Sequence, residues 1–205
     1  VTHGGITVGE DGATHQALED ISLMRSLPGM TVIIPADCKE CEQVLEYASE
    51  YEGPVYIRIA RTSLPDIYGD DYKFNPKKAY IYKEGTDVTL ISNGDVLAEV
   101  IKASEILKEK NINAEVISLP VIKPLDKETI INSIRKTGKA VTIENHSVYG
   151  GIGTAVCECL SENYPAKVLR IGINDVFGQS GDSSGLVKYY GLDSASIADK
   201  VMKIL

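Results

Sequence analysis

The side chains best suited to chemistry are concentrated at the start of the chain. Two of its three histidines, His3 and His15, occur there with Asp11 and several glycines. Imidazoles donate, accept and carry protons near neutral pH, and glycines let a backbone adopt positive φ and approach a ligand. Thr14 is predicted to cap a helix, which would place His15 in a first turn where the dipole favours a neutral imidazole. We predict a ligand-binding loop; the alternative is a surface turn with solvated histidines.

Arg61 follows a predicted strand at residues 55–60. Ligands of open parallel sheets bind outside the carboxyl ends of the strands, and a guanidinium there can hold a phosphate or carboxylate with its forked donors. Arg61 is therefore a candidate anion-binding residue, and an ordinary surface arginine is the alternative. Arg58 lies within the same predicted strand and is expected to contact a neighbouring element.

The third histidine, His146, follows Glu144 at another predicted strand end, and a Gly-rich turn at residues 150–153 then opens a helix. A helix N-terminus of this kind can bind an anion. The segment lacks the third glycine and the downstream acidic residue of a dinucleotide-binding fingerprint. We expect tight packing or a subunit contact here, with a ligand site as the alternative.

Two of the four cysteines, Cys38 and Cys41, have the spacing of a metal or redox pair. Asp37 before them is a good helix N-cap, so the pair should lie on adjacent turns of an amphipathic helix. The remaining cysteines are more than a hundred residues away and closely spaced. We therefore expect a structural role for all four, reduced thiols and no metal site.

Composition limits the possible classes of protein. The 205 residues are 43% hydrophobic, which is enough for one or two packed α/β domains. The formal net charge of -8 argues against binding to nucleic acid or to an acidic membrane surface. No apolar run is long enough for a spanning helix or a signal peptide. These features predict a soluble, cytoplasmic protein. Because the sequence begins at Val1 within a Gly-rich phrase, we expect it to be a fragment.

Apolar periodicity predicts two α/β units. A strand, a helix and a second strand occupy the first 60 residues, which is the pattern of a parallel sheet. Polar, turn-rich sequence without periodicity follows and is predicted to be a linker at residues 67–86. Four further strands with intervening helices are predicted beyond it, at residues 88–91, 114–117, 139–143 and 167–171, together with a closing helix from Ser194 to the C-terminus.

The Gly-Glu-Asp-Gly-Ala-Thr-His-Gln phrase of residues 9–16 carries a family resemblance. With Thr2-His3, Pro35-Ala-Asp37 and Ala60-Arg61, it resembles the pyrimidine-binding domain of transketolases. Later motifs resemble the transketolase C-terminal domain, namely Glu144-Asn-His146, Gly150-Gly-Ile-Gly153 and Phe177-Gly-Gln-Ser-Gly181. The resemblance predicts a truncated parallel-sheet pyrimidine-binding domain at residues 1–66 and a complete, mostly parallel C-terminal α/β domain at residues 87–205. The closest type is the compact bacterial or archaeal enzyme, which is often split into two polypeptides.

The resemblance also implies an activity and roles for four residues. Transketolases move a two-carbon ketol unit between sugar phosphates, using thiamine diphosphate and a divalent metal such as Mg²⁺. By motif, His15 corresponds to the histidine beside the aminopyrimidine that contacts the reacting oxygens of the substrate and assists proton transfer. Asp11 corresponds to the residue that recognises the sugar C2 hydroxyl, and His3 and Arg61 to residues that bind the sugar phosphate.

Other family motifs are absent from the sequence, including the glutamate that activates the pyrimidine ring and the diphosphate- and metal-binding domain. We therefore expect this chain alone to bind no cofactor, to be inactive, and to need an N-terminal transketolase polypeptide in a homo-oligomeric assembly. The alternatives are a deoxyxylulose-phosphate synthase, a 2-oxo-acid dehydrogenase β-type enzyme, or a non-catalytic dimerisation module. Glu10 and Glu19 fit transketolase better than the synthase, and the dehydrogenase subunits lack the phrase at residues 9–16.

Overall fold

A computed structural model describes residues 1–205, which form eight strands and seven α-helices. The strands are β1 Thr31–Ile33, β2 Val55–Ile57, β3 Tyr80–Lys83, β4 Val88–Ser92, β5 Ala114–Ser118, β6 Val121–Lys123, β7 Lys139–Ser147 and β8 Lys167–Ile173. The α-helices are α1 Asp20–Ser26, α2 Cys38–Glu50, α3 Leu97–Glu109, α4 Lys127–Thr137, α5 Ile152–Asn163, α6 Ser183–Tyr189 and α7 Ser194–Met202. Two 3₁₀ turns complete the fold, at Ile6–Asp11 and Gly94–Val96. None of the α-helices combines the length and apolar character that crossing a bilayer requires.

The larger sheet has five strands in the order β3-β5-β4-β7-β8. Strands β4, β5, β7 and β8 pair in parallel, and β3 joins the edge antiparallel to β5. All five residues of β4 and of β5 are buried, as expected for strands covered by helices on both faces. The predicted α/β class and mostly parallel sheet are confirmed.

The smaller sheet has the order β2-β1-β6 and joins distant parts of the chain. β1 pairs in parallel with β2, as the strand-helix-strand pattern predicts, and antiparallel with β6. The sequence analysis predicted no strand at β6. It is only three residues long and lies between Pro120 and Pro124, so it has no detectable periodicity, although prolines are common beside edge strands.

The segment predicted to be a linker is partly ordered within the core. It contains β3, and the rings of Tyr68 and Tyr72 are buried and stack with centroids 3.9 Å apart. The Tyr68 hydroxyl lies 2.6 Å from Ser118 Oγ, and the Tyr72 hydroxyl donates to Glu40. The lack of apolar periodicity did not reveal this packing, because the spaced tyrosines bury their rings while their hydroxyls find polar partners.

Helix caps account for most of the helix starts. Asp37 accepts a hydrogen bond from Glu40 N at 2.8 Å, as predicted for α2, and Asp126 caps α4 in the same way. The four cysteines are free thiols, three of them at least partly exposed. The sequence analysis missed α6, whose Ser-Ser-Gly start has low helix propensity; Asp182 caps it by accepting from Gly185 N at 2.8 Å.

The α2 carboxylate of Glu40 is buried where the two sheets meet. It accepts hydrogen bonds from Ala36 N, at 2.7 Å, and from the Tyr72 hydroxyl. Burial raises the pKa of Glu40 from 4.5 to about 7. Between pH 4.5 and about 7 the folded chain keeps a proton on Glu40 that the unfolded chain releases. The stabilisation that comes from protonated Glu40 is therefore complete below pH 4.5 and is lost as pH rises through about 7.

We therefore expect the Glu40→Gln variant to lose less stability than the unmodified chain between about pH 4.5 and 7, by on the order of 3 kcal/mol. Burial also raises the pKa of Glu144 to about 7. Glu144 therefore contributes equally to the pH dependence of stability in both proteins. Urea unfolding across this pH range measures the difference. Glu42→Gln, an exposed change on the same helix, is the control; equal slopes for Glu40→Gln and this control would contradict the prediction.

Candidate active site

The Gly-rich loop has a buried floor and an exposed rim. Residues 6–9 are buried within the Ile6–Asp11 turn, whereas Asp11 and His15 are exposed. Gly5 begins this turn at φ 80°, and a Cβ atom there would lie 2.2 Å from Asn145 Nδ2. Only glycine satisfies both the left-handed backbone and this close approach. The loop is thus a fixed structure that presents two of the predicted site residues outward.

His3 lies where three segments meet. Parallel bridges pair Thr2 with Ile59 and Gly4 with Ala17. His3, between the two bridged residues, is therefore flanked by the chain leading to Arg61 and by the chain following His15. Its ring is half-buried, with Nδ1 2.7 Å from Thr2 Oγ1. The two bridges thus join the segment that contains His3 to the chain between β2 and Arg61 and to the chain that follows His15.

Arg61 and Asp11 form an ion pair on the rim. Arg61 Nη1 lies 2.5 Å from Asp11 Oδ2 and also donates to the Val8 carbonyl at 3.1 Å. Both side chains are more than a third exposed, and exposed pairs of this kind contribute only about 0–1 kcal/mol. A phosphate dianion can therefore replace the carboxylate at little cost. The sequence predicted both residues for the site but not their contact with each other.

His15 is exposed and is not in a helix. Residues 13–15 form a turn, His15 Nδ1 lies 3.0 Å from Thr14 Oγ1, and α1 begins only at Asp20. The predicted Thr14 cap was therefore wrong, because Thr14 lies within the turn and Ala17 is bridged to Gly4 before α1 begins. The helix-dipole argument for a neutral imidazole no longer applies. The free ring nitrogen remains available to a ligand at the rim.

Two buried polar side chains that were not predicted as site residues hold the loop. The Gln16 amide donates to three carbonyls, those of Ile6 at 3.2 Å, Gly9 at 3.3 Å and Gln179 at 2.9 Å. Arg58, as predicted, contacts neighbouring elements: its side chain pairs with Asp20 at 3.2 Å and donates to the Asn145 carbonyl at 2.9 Å. Gln16 follows His15 directly, but only the tertiary structure reveals that its side chain points inward.

The turn between β7 and α5 is tightly packed against neighbouring side chains. The carboxyl group of Glu144 accepts from Ile152 N at 2.8 Å and Gly153 N at 3.0 Å, so a side chain of this protein occupies the helix N-terminus. His146 is fully buried, with Nδ1 2.7 Å from the Ser147 carbonyl. Burial lowers its pKa, which favours the neutral ring. These contacts support the packing interpretation over the ligand site.

The predicted site residues offer no ligand set for a metal ion. They carry two imidazoles, a guanidinium and a carboxylate, whereas the chain has no group of three or more His, Cys, Asp or Glu side chains that could hold a metal ion. A metal-bound diphosphate therefore does not fit the residues of this chain.

Comparison with known proteins identifies the families that the chain matches. Residues 1–66 match the transketolase pyrimidine-binding domain family, and residues 77–197 match the transketolase C-terminal domain family. A protein of Methanocaldococcus jannaschii described as a transketolase C-terminal section is 47% identical over 98% of this chain, which spans 64% of that relative. A 1-deoxy-D-xylulose-5-phosphate synthase of Heliobacterium modesticaldum is 37% identical over 97% of the chain, which spans 31% of the synthase.

A solved structure described as a split-gene transketolase, an inactive β4 tetramer, has the same fold. It superposes with a TM-score of 0.89 at 40% identity, and the comparison covers 99% of this chain and 64% of the solved chain. The chain thus spans less than two thirds of the length of the archaeal protein and of this solved chain. The two matched domain families and these likenesses together show that the chain belongs to the transketolase family.

Proposed function

We propose that this chain is part of a transketolase that transfers a two-carbon ketol unit between sugar phosphates. The observation that carries the proposal is the exposed ion pair between Arg61 and Asp11. Backbone bridges join the segments that contain His3 and His15 to each other and to the chain leading to Arg61. A cation for a phosphate, a carboxylate for a hydroxyl and an imidazole for a proton are the groups that a phosphorylated sugar needs.

Each residue has one task in the proposed reaction. Arg61 releases Asp11 and binds the substrate phosphate with its forked donors, and His3 adds a further donor. Asp11, once released, accepts a hydrogen bond from the C2 hydroxyl of the sugar. His15 contacts the reacting oxygens and moves the proton during cleavage and formation of the carbon–carbon bond. Thiamine diphosphate, when bound, supplies the electron sink for that cleavage.

The proposal includes a partner polypeptide. The rim offers no ligand set for the divalent metal that holds the cofactor's diphosphate. We propose that an N-terminal transketolase polypeptide supplies this site, and that the active assembly is a homo-oligomer of the combined unit. A single chain would then bind the cofactor no more than weakly and would transfer no ketol group.

Mixing this chain with an N-terminal transketolase polypeptide that carries both the activating glutamate and the diphosphate- and metal-binding domain, together with thiamine diphosphate and Mg²⁺, tests the proposal. The assay follows transfer from a ketose phosphate to an aldose phosphate, and calorimetric titration follows binding of thiamine diphosphate. We expect saturable cofactor binding and transfer only when both polypeptides are present. Activity of the chain alone, or cofactor binding by the complex without ketol transfer, would refute it.

The same mixture separates the other candidate functions. A synthase would use a 2-oxo acid as donor and release carbon dioxide, so supplying pyruvate with an aldose phosphate distinguishes it from a transketolase. A non-catalytic dimerisation module would bind the partner polypeptide and leave cofactor affinity and turnover unchanged. We expect ketol transfer without carbon dioxide release.

A further inference from the structure

The floor of the Gly-rich loop is attached to the larger sheet by a buried polar cluster. Asn145 near the end of β7 and Asp95 in the Gly94–Val96 turn are far from the loop in sequence, but both reach it. Asn145 Oδ1 accepts from Ile6 N at 2.9 Å, and Asn145 Nδ2 donates to Thr7 Oγ1 at 3.0 Å and to Asp95 Oδ2 at 2.7 Å. The Thr7 hydroxyl donates to the same Asp95 oxygen at 2.5 Å.

The amide of Asn145 suits this position chemically. Ile6 N–H requires an acceptor, whereas the Asp95 carboxylate requires donors, and a primary amide presents both. An aspartate in its place would bring a second carboxylate to Asp95 in a site where Asn145 is 2% exposed and Thr7 5% exposed. Buried like charges without a shared proton are strongly disfavoured.

The cluster can set the geometry of the rim. It makes hydrogen bonds to Ile6 and Thr7, the first two residues of the Ile6–Asp11 turn, whose last residue, Asp11, forms the ion pair with Arg61. The backbone of Asn145 is itself fixed, because Arg58 donates to its carbonyl at 2.9 Å. A shift of Asn145 would therefore move the turn, and Asp11 with it, relative to the end of β2. Small misplacements of substrate-binding groups lower turnover by large factors.

We propose that Asn145 and Asp95 are positioning residues that hold the substrate loop in its reactive geometry from the C-terminal domain. The catalytic part of this inference rests on the proposed ketol transfer, whereas its structural part does not. It assigns to the Glu144-Asn-His146 motif a task beyond packing. Neither residue touches the substrate; both act through the Ile6–Asp11 turn.

Three variants and a control test the inference in the complex of this chain with its N-terminal polypeptide. Asn145→Asp places a second carboxylate next to that of Asp95. We expect kcat/KM to fall about 10- to 100-fold, with a raised KM for the sugar phosphate. Asp95→Asn keeps an acceptor for Asn145 and should cost little. The double variant Asp95→Asn/Asn145→Asp exchanges the amide and the carboxylate, restores a donor–acceptor pair, and should recover most of the lost kcat/KM.

Asn93→Asp is the matched control. Asn93 directly follows β4 and is also buried, but its amide donates to the Leu119 carbonyl at 3.3 Å and not to the Gly-rich loop. We expect this variant to lower the unfolding temperature and leave KM unchanged. If Asn145→Asp behaves in the same way, its role is structural only and the positioning inference is wrong.

Hydrogen exchange of the chain alone keeps the inference testable without turnover. Amides of residues 4–12 should exchange at least about tenfold faster in Asn145→Asp, and at the original rate in the double variant. Unchanged exchange there would overturn the inference even if ketol transfer is confirmed. Faster exchange with no ketol transfer by the unmodified complex would instead support the structural part and refute the proposed function.

Discussion

Replacing His15 by alanine is expected to lower kcat for ketol transfer by about 10²- to 10⁴-fold, the usual contribution of a general acid–base group. The unfolding temperature should not change, because the exposed ring makes no side-chain hydrogen bond except to Thr14, at 3.0 Å. Steady-state kinetics of the complex with the N-terminal polypeptide measure the effect. The loss should appear in kcat, since His15 is proposed to act on the reacting oxygens and not on the phosphate.

Thr14→Ala is the control for this prediction. It removes the neighbouring hydroxyl but keeps the imidazole, so a change of a few-fold at most is expected. His3→Ala provides the contrasting result, a raised KM with a smaller change in kcat. If His15→Ala retains kcat within a few-fold of the unmodified complex, another group moves the proton and the assignment of His15 is wrong.

Much of the larger sheet could be predicted from sequence because its signals are local. Strands β4 and β5 are short apolar runs, and α4 has Asp126 at its start and Gly138 in a left-handed conformation at its end. Strands β3 and β6 were missed for a different reason. Strand β3 lies at a sheet edge and exposes residues such as Tyr80 and Ile81, so it lacks the apolar pattern of a buried strand. Strand β6 buries Val121 and Ile122, but it has only three residues and lies between two prolines, which is too short for a periodic signal.

Some residues of the candidate site could be identified from their types, whereas others are revealed only by tertiary packing. The Gly-rich loop and Arg61 were identified as ligand-binding candidates from their types and their place beside a strand end. The contact of Asn145 with Ile6 spans 139 residues, and no local pattern encodes it. The error at His15 has the same origin: Thr14 has the side chain of a helix cap, but it lies within a turn and Ala17 is bridged to Gly4 before α1 begins.

The Arg61→Ala variant should raise KM for sugar phosphates about 10- to 100-fold, which corresponds to the roughly 1.5–3 kcal/mol of a hydrogen bond to a charged group. Its kcat should change much less, because Arg61 binds the end of the substrate remote from the reacting carbon atoms. An unphosphorylated sugar donor should react equally well with both proteins. Arg135→Ala, which removes an exposed arginine packed over Tyr164, is the control.

The ion pair with Asp11 makes a second, opposite prediction that isolates the role of Arg61. In the unliganded chain Asp11 neutralises the guanidinium, so Asp11→Ala should strengthen inhibition by inorganic phosphate even as it weakens ketol transfer through the lost contact with the sugar hydroxyl. Arg61→Ala should abolish that inhibition in both backgrounds. Equal phosphate inhibition in the unmodified complex and in Asp11→Ala would mean that the carboxylate does not compete with the ligand. Equal KM increases for phosphorylated and unphosphorylated donors in Arg61→Ala would show that Arg61 shapes the loop and does not bind phosphate.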